Sequence, residues 1–198
     1  MSQPRNVAIL IFDEVEVLDF CGPFEVFAVT GRSREAAPFN VYTVAERLEP
    51  VLARNGLSIN PRYSIADCPQ PDLLIVPGGL GARREMYNPA LIEWIRQRAA
   101  PAELVLSVCT GALLLAKARL LDNLTATTHH VAFDLLREAA PETEVREDQR
   151  FVDNGKVITS AGISAGIDMS LHVVARLLGR DAAQETARQM EYRWQPDA

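Results

Sequence analysis

The chain has 198 residues, 48% hydrophobic and 23% charged, an ordinary globular balance, and one domain spanning 1–198 is the expectation at roughly 100–200 residues per domain. A net charge of −6 argues against a nucleic-acid partner, which needs a basic face, and no apolar run approaches the ~18 residues of a membrane span. Three widely spaced cysteines (Cys21, Cys68, Cys109) without a CxxC pair argue against a disulfide scaffold or a structural zinc site; with an N-terminus that reads as a strand, they predict a cytoplasmic protein.

The pattern then alternates strand and helix. Val7–Phe12 is a continuous apolar run, as expected of a parallel strand covered on both faces. Asp19–Gly31 reads as a helix closed by its glycine, and Phe39–Ala45 as a second strand. Leu48–Asn60 carries weaker signals of short edge or excursion strands. Leu73–Val76 is a buried strand running into Pro77-Gly78-Gly79, and Pro89–Arg98 has a proline start and helical spacing. Leu104–Val108 is another buried strand, and Thr110–Ala118, rich in Ala and Leu, a helix. Residues 125–128 are a candidate short strand and Val131–Ala139 a helix. Phe151–Ile158 holds Asn154-Gly155, a hairpin signal, and Ser164–Leu178 and Ala182–Tyr192 read as closing helices. The alternation predicts an α/β fold with a doubly wound, mostly parallel sheet. Ligands of such sheets bind beyond the carboxyl ends of the strands, where both the PGG segment and Cys109 fall.

Cys109 is the sharpest signal. Strand and helix leave no room for a loop between Val108 and Thr110, so the cysteine is forced into a tight, strained turn. Unpaired N–H groups at the helix start are expected to stabilise a thiolate and lower its pKa, and Gly111 keeps the first helical turn open to close approach. Gly78 and Gly79 would offer backbone N–H groups beside the N–H of Thr110, an oxyanion-type site next to the sulfur. From the residues alone Asp19 reads first as the cap of the following helix; it also stands at the same sheet edge, where like charge and burial would raise its pKa and suit it to acid–base work. Glu16 is the alternative acid, and Glu25 reads as a solvent charge. Cys68 reads as inert, and His172 as structural.

Taken together, the PGG at 77–79, VCTGA at 108–112, TTHH at 127–130, VLDFCGPFEVF at 17–27 and SAGISAGIDMSL at 160–171 resemble the ThiJ/PfpI superfamily over nearly the whole chain. Within it they look like the branch that holds isonitrile hydratases and the amidotransferase-like domains of AraC-type regulators. The resemblance implies a flavodoxin-like fold related to class I glutamine amidotransferases, a homodimer, Cys109 as nucleophile and Asp19 as the acid beside it. It places His129, Ile163 and Ser164 around the pocket. The superfamily's peptidases carry histidine directly after the cysteine; Thr110 stands there instead, which weakens a Cys–His peptidase reading.

The implied chemistry is hydration of a small-molecule isocyanide to an N-substituted formamide through a Cys109 thioimidate, with no metal or organic cofactor. Two alternatives remain: a glyoxalase- or deglycase-like reaction on small aldehydes using the same pair, and a redox or ligand sensor. A direct DNA-binding role is disfavoured because no basic recognition helix is visible.

Overall fold

The computed structural model describes residues 3–32 and 37–195. Strand β1 (Arg5–Leu10) runs inward from the surface, with Val7–Ile11 fully buried. Helix α1 (Val17–Val29) follows, and Gly31 turns the chain away from it at φ 71°. Strand β2 (Phe39–Ala45) leads to a small hairpin, β3 (Val51–Leu52) and β4 (Ser58–Ile59), bent around a 3-10 turn at Arg54–Gly56. This is the excursion expected at 48–60. Strand β5 (Tyr63–Ser64) and the buried β6 (Leu73–Val76) come next.

A short helix α2 (Ala82–Glu85), not anticipated from the sequence, precedes α3 (Pro89–Ala99). Asn88 caps α3 by accepting the N–H groups of Ala90 and Leu91, and Pro89 opens it where no N–H partner is needed. Then follow β7 (Leu104–Val108) and α4 (Gly111–Lys117). Of residues 125–128, Thr125–Ala126 forms β8, which pairs with β9 (Glu144–Val145) outside the main sheet; α5 (Phe133–Ala139) lies between them after a 3-10 turn at His130–Ala132. Strands β10 (Phe151–Asp153) and β11 (Val157–Ser160) form the antiparallel hairpin expected at Asn154-Gly155, with Gly155 at φ 86°. Helices α6 (Ala165–Leu178) and α7 (Arg180–Gln189) close the chain.

The main sheet has the order β10-β11-β7-β6-β1-β2-β5 and is parallel except for β10. Helices α1, α6 and α7 pack together in one layer and α2–α5 in the other. Both sheet faces are therefore covered, which explains why β1, β6 and β7 read as unbroken apolar runs rather than alternating ones. The chain goes from β1 to β2 on one side and later to β6 on the other, so the order reverses at β1/β6. A doubly wound sheet opens its ligand crevice at that reversal. Among the described residues no helix is long and apolar enough to cross a membrane.

Candidate active site

Three loops meet at the carboxyl ends of β1, β6 and β7. The β1–α1 loop is zipped to the β6–α2 loop by a bridge between Val15 and Gly79 and by the Glu16 N–H, which donates to the Gly78 carbonyl at 2.9 Å. The start of α4 lies directly on the end of β6: a Cβ added to Gly111 would stand 2.0 Å from the Val76 carbonyl oxygen. Only glycine allows that approach.

Cys109 sits between β7 and α4 at φ 57°, a left-handed conformation unusual for any side-chain-bearing residue. The rest of the structure holds it there. Its N–H donates to the carbonyls of Ser160 and Ala161, each at 3.2 Å, and its carbonyl accepts the Thr128 hydroxyl at 2.7 Å. This is the strained turn that the abrupt strand-to-helix change predicts.

Asp19 lies in the first turn of α1, fully buried, rather than capping the helix; the helix begins at Val17, and its cap residue Glu16 makes no side-chain capping bond. Asp19 Oδ2 accepts the Gly78 N–H at 3.0 Å. Burial first pushes its pKa up to about 7, against the downward pull of the Gly78 N–H and of the Cys109 side chain. The sulfur is thus within interaction range of the carboxyl, yet Oδ1 is buried with no hydrogen-bond partner of standard geometry. A buried carboxyl oxygen left open toward a thiol costs stability unless a further group completes it.

The expected lowering of the Cys109 pKa is not what its surroundings produce. Burial, and then the charge of Asp19, push the thiol up to about 12, while the N–H and hydroxyl of Thr110 pull it back. Helix α4 has only seven residues, and a dipole of that length is outweighed by desolvation in a site where Cys109 is 5% exposed. The consequence is a coupled pair. Cys109 and Asp19 repel as two anions, so the negative charge settles on the carboxylate while the thiol keeps its proton.

Gly78 and Gly79 also differ from expectation. The Gly78 N–H is held by Asp19, and the Gly79 N–H donates to Thr110 Oγ1 at 3.0 Å, while that hydroxyl donates to the Gly79 carbonyl at 3.1 Å. Both glycine N–H groups are engaged, so they orient Asp19 and Thr110 instead of standing open to a developing anion. A side chain at Gly78 would meet Thr110 N at 2.5 Å and Asp19 Oδ2 at 3.0 Å, which ties this residue to the acid's position. Of the expected donors, the Thr110 N–H is the one that faces the sulfur.

The pocket above the sulfur has a volume of about 160 Å³ and is lined by Cys109, Thr110, Gly79 and His129 with the apolar Leu80, Val131 and Ile163 and the charged Glu16, Arg54 and Arg83. His129 shares this space with Cys109, but its Nδ1 accepts the Val131 N–H at 3.3 Å and its ring packs over Gly162, where a Cβ would fall 2.2 Å from Cδ2. Burial, His130 and Arg83 lower its pKa, so it is a neutral wall group at pH 7. Ile163, at φ 53°, reaches the pocket as expected. Ser164 does not: it is exposed at the start of α6, and its hydroxyl accepts from Arg150 at 3.2 Å. Arg54, Arg83, Leu80 and Val131 carry no motif; they come from the excursion hairpin, α2 and the turn before α5, and periodicity does not show that these meet.

Cys68, buried elsewhere, donates to its neighbour Pro69's carbonyl and lines no pocket with Cys109; Cys21 is half-buried on α1. Glu25 is exposed and His172 pairs with Asp153 at 2.7 Å, both outside the site. Among the described residues no group of three or more His, Cys, Asp or Glu side chains is placed to hold a metal ion.

Comparison with known proteins agrees with this architecture. An isonitrile hydratase from Pseudomonas putida is 37% identical over 187 residues, covering 94% of this chain and 78% of the relative. The HTH-type transcriptional regulator CdhR from Pseudomonas aeruginosa is 32% identical over 180 residues, and the match spans 91% of this chain and 53% of that longer protein. A ThiJ/PfpI family protein from Pseudomonas syringae superposes with a TM-score of 0.88 at 29% identity, covering 99% of this chain and 78% of that one. The family model for DJ-1/PfpI matches residues 5–176, and the chain belongs to the DJ-1/PfpI family.

Proposed function

We propose that the chain is a cytoplasmic isonitrile hydratase with Cys109 as nucleophile and Asp19 as its acid and base. The observation that carries this reading is the buried Asp19 carboxyl, held by the Gly78 N–H at 3.0 Å and interacting with the Cys109 side chain, its pKa raised to about 7. The 37% identity to an isonitrile hydratase supports the substrate class.

An isocyanide, R–N≡C, is neutral and narrow, and its terminal carbon is both electrophilic and basic once attacked. As the Cys109 proton passes to Asp19, the sulfur forms a bond to that carbon. The electron pair left on the carbon takes the proton from Asp19, giving R–N=CH–S. Asp19, again a carboxylate, draws a proton from water as the water oxygen bonds to the same carbon, and hands it to the nitrogen. The hydroxyl proton then passes to Asp19 as the C–S bond breaks and the sulfur leaves as thiolate; R–NH–CHO departs, and that proton returns from Asp19 to Cys109. Because a single carboxyl gives and takes each proton, its pKa near neutrality matches the task. The sulfur need not be a resting thiolate, since the negative charge already sits on the pair.

The direct test is incubation with para-nitrophenyl isocyanide, with methylglyoxal alongside. Formamide production, together with a mass increase on Cys109 equal to the isocyanide, is the expected result; loss of methylglyoxal without formamide would move the assignment to an aldehyde substrate. Similarity to a regulator favours one further reading, ligand sensing, which predicts tight binding without turnover. The family resemblance also carries the homodimer, checked by light scattering on the eluting protein.

A further inference from the structure

We infer that Arg83 makes this pocket selective for an isocyanide whose R group carries a carboxylate. This rests on the hydratase reading for the reacting carbon, but the anion subsite has its own evidence. Besides the apolar Leu80, Val131 and Ile163, two guanidinium-bearing residues, Arg54 and Arg83, line the same ~160 Å³ space as Cys109. They are not equivalent. Arg54 is committed: its guanidinium pairs with Glu14 at 2.6 Å, and its backbone N–H donates to the Val15 carbonyl at 2.9 Å. Arg83 has no ion-pair partner among the described residues, although its neighbour Arg84 is paired with Glu85. It nonetheless acts on the pocket, since its charge helps to lower the pKa of His129.

The base of Arg83 is rigid. Helix α2 is pinned against the β1–α1 loop at Gly81, where an added Cβ would stand 2.0 Å from the Asp13 carbonyl oxygen. The Arg83 N–H donates to Leu80 O at 3.3 Å, and Arg84 and Glu85 both return to Gly81 O at 2.9 Å. The cation is thus presented from a fixed backbone, which reduces the entropy lost on capturing an anion. Glu16 is the opposing charge on the pocket wall. It is also among the charges that raise the Asp19 pKa, so it belongs on the acid's side of the space. Arg83 and Glu16 both act on His129, with opposite sign, so the pocket holds one cation and one anion besides the paired Arg54. A carboxylate is the anion proposed, because its two oxygens match the guanidinium fork and its single charge matches the one cation left unpaired among the described pocket residues. The product of such a substrate is an N-formyl carboxylic acid.

The test separates the subsite from the reaction. Binding of N-formylglycine and of its neutral amide is measured by titration calorimetry and by protection of Cys109 from iodoacetamide, for wild type, Arg83→Gln and Arg83→Lys. Preference for the acid of about tenfold in wild type, lost in Arg83→Gln and partly restored in Arg83→Lys, is expected from one partly exposed charge-assisted pair. Equal binding of acid and amide by wild type, or a preference that survives Arg83→Gln, overturns the assignment. In parallel, kcat/KM is compared for isocyanoacetate and its methyl ester. A ratio favouring the acid that collapses in Arg83→Gln supports the substrate class, and a ratio near one overturns it. If the acid binds selectively but neither isocyanide is turned over, the hydratase reading fails and the carboxylate subsite stands.

Discussion

The molecule contains the same backbone device twice, set in two different surroundings. Strand β7 meets α4 through Cys109 at φ 57°, and β11 leads to α6 through Ile163 at φ 53°. Both turns lie at the carboxyl edge of neighbouring strands, and both put a side-chain-bearing residue in left-handed geometry. The first is 5% exposed, and the Asp19 carboxyl that interacts with it has no ion-pair partner among the described residues; the second is 36% exposed, and the acid of the following helix, Asp168, is taken up by Arg150 and by the Tyr192 hydroxyl at 3.0 Å. A strained turn aims a residue; on the function proposed above, the difference lies in burial and in an acid that no cation holds. Four substitutions test that contrast.

The largest effect is expected at the first turn. Cys109→Ala removes the attacking atom, and turnover of an isocyanide should fall to background, a loss of at least roughly 10³-fold on the scale of nucleophile deletions. Circular dichroism should be unchanged, because the turn is held by backbone bonds to Ser160, Ala161 and Thr128 that do not involve sulfur. Residual hydration at more than a few per cent would show that the turn alone, without its side chain, accounts for the activity.

Asp19→Asn comes next and separates function from stability. The folded-state pKa of about 7 lies above the usual carboxylate value, so between about pH 4 and pH 7 the folded protein holds a proton that the unfolded chain has released. Stability contributed by this group is therefore present at low pH and lost as pH rises through 7. At pH 8 the wild type carries a buried charge that the amide variant lacks. Urea unfolding should show the variant gaining roughly 2 kcal/mol relative to wild type between pH 5.5 and pH 8, while its activity drops by about 10²-fold or more. A pH-independent difference would mean that Asp19 is ionised throughout. Removing the carboxylate also removes one of the causes that push the thiol up, so iodoacetamide should alkylate Cys109 in the variant at lower pH than a thiol titrating near 12.

The contrast also explains what could be read from the sequence. The buried strands, the Cys109 turn, the hairpin at Asn154-Gly155 and the need for glycine at 111 were legible because each is set by a few adjacent residues. Asp19 as the acid follows from the resemblance, while its orientation depends on the Gly78 N–H 59 positions away. A separation of 31 positions likewise hides the engagement of Gly79 by Thr110, so the glycines read as open donors although both N–H groups are occupied. The pKa of Cys109 was misjudged because a helix start is visible in sequence and the depth of desolvation is not. The resemblance puts Ser164 at the pocket together with Ile163, but Ser164 is exposed at the start of α6, and Arg150 donates to its hydroxyl.

Ile163→Gly tests the second turn on its own terms. A β-branched residue in left-handed geometry costs on the order of 1–3 kcal/mol, part of which the extra unfolded-chain entropy of glycine takes back. A net gain of about 1 kcal/mol is expected, seen as a rise of roughly 2–4 °C in Tm for a chain of this size. Activity should change far less than in Cys109→Ala, through the loss of one apolar wall of the pocket. A fall in Tm would mean that the Ile163 side chain contributes more by packing than its backbone costs.

Arg150→Gln is the smallest and bears most directly on why the second turn is quiet. The Arg150 side chain is 44% exposed and that of Asp168 14%, so the pair is partly screened and its loss should cost about 0.5–1 kcal/mol. The cost should shrink when NaCl is raised to about 0.5 M, where screening shortens the reach of exposed charges. Asp168 keeps the Tyr192 hydroxyl at 3.0 Å, so the turn should hold its place without the cation. If the loss instead exceeded about 2 kcal/mol and did not respond to salt, the Arg150 side chain would be bracing the turn by packing as well as by charge, and the difference between the two turns would rest on how each is held more than on depth.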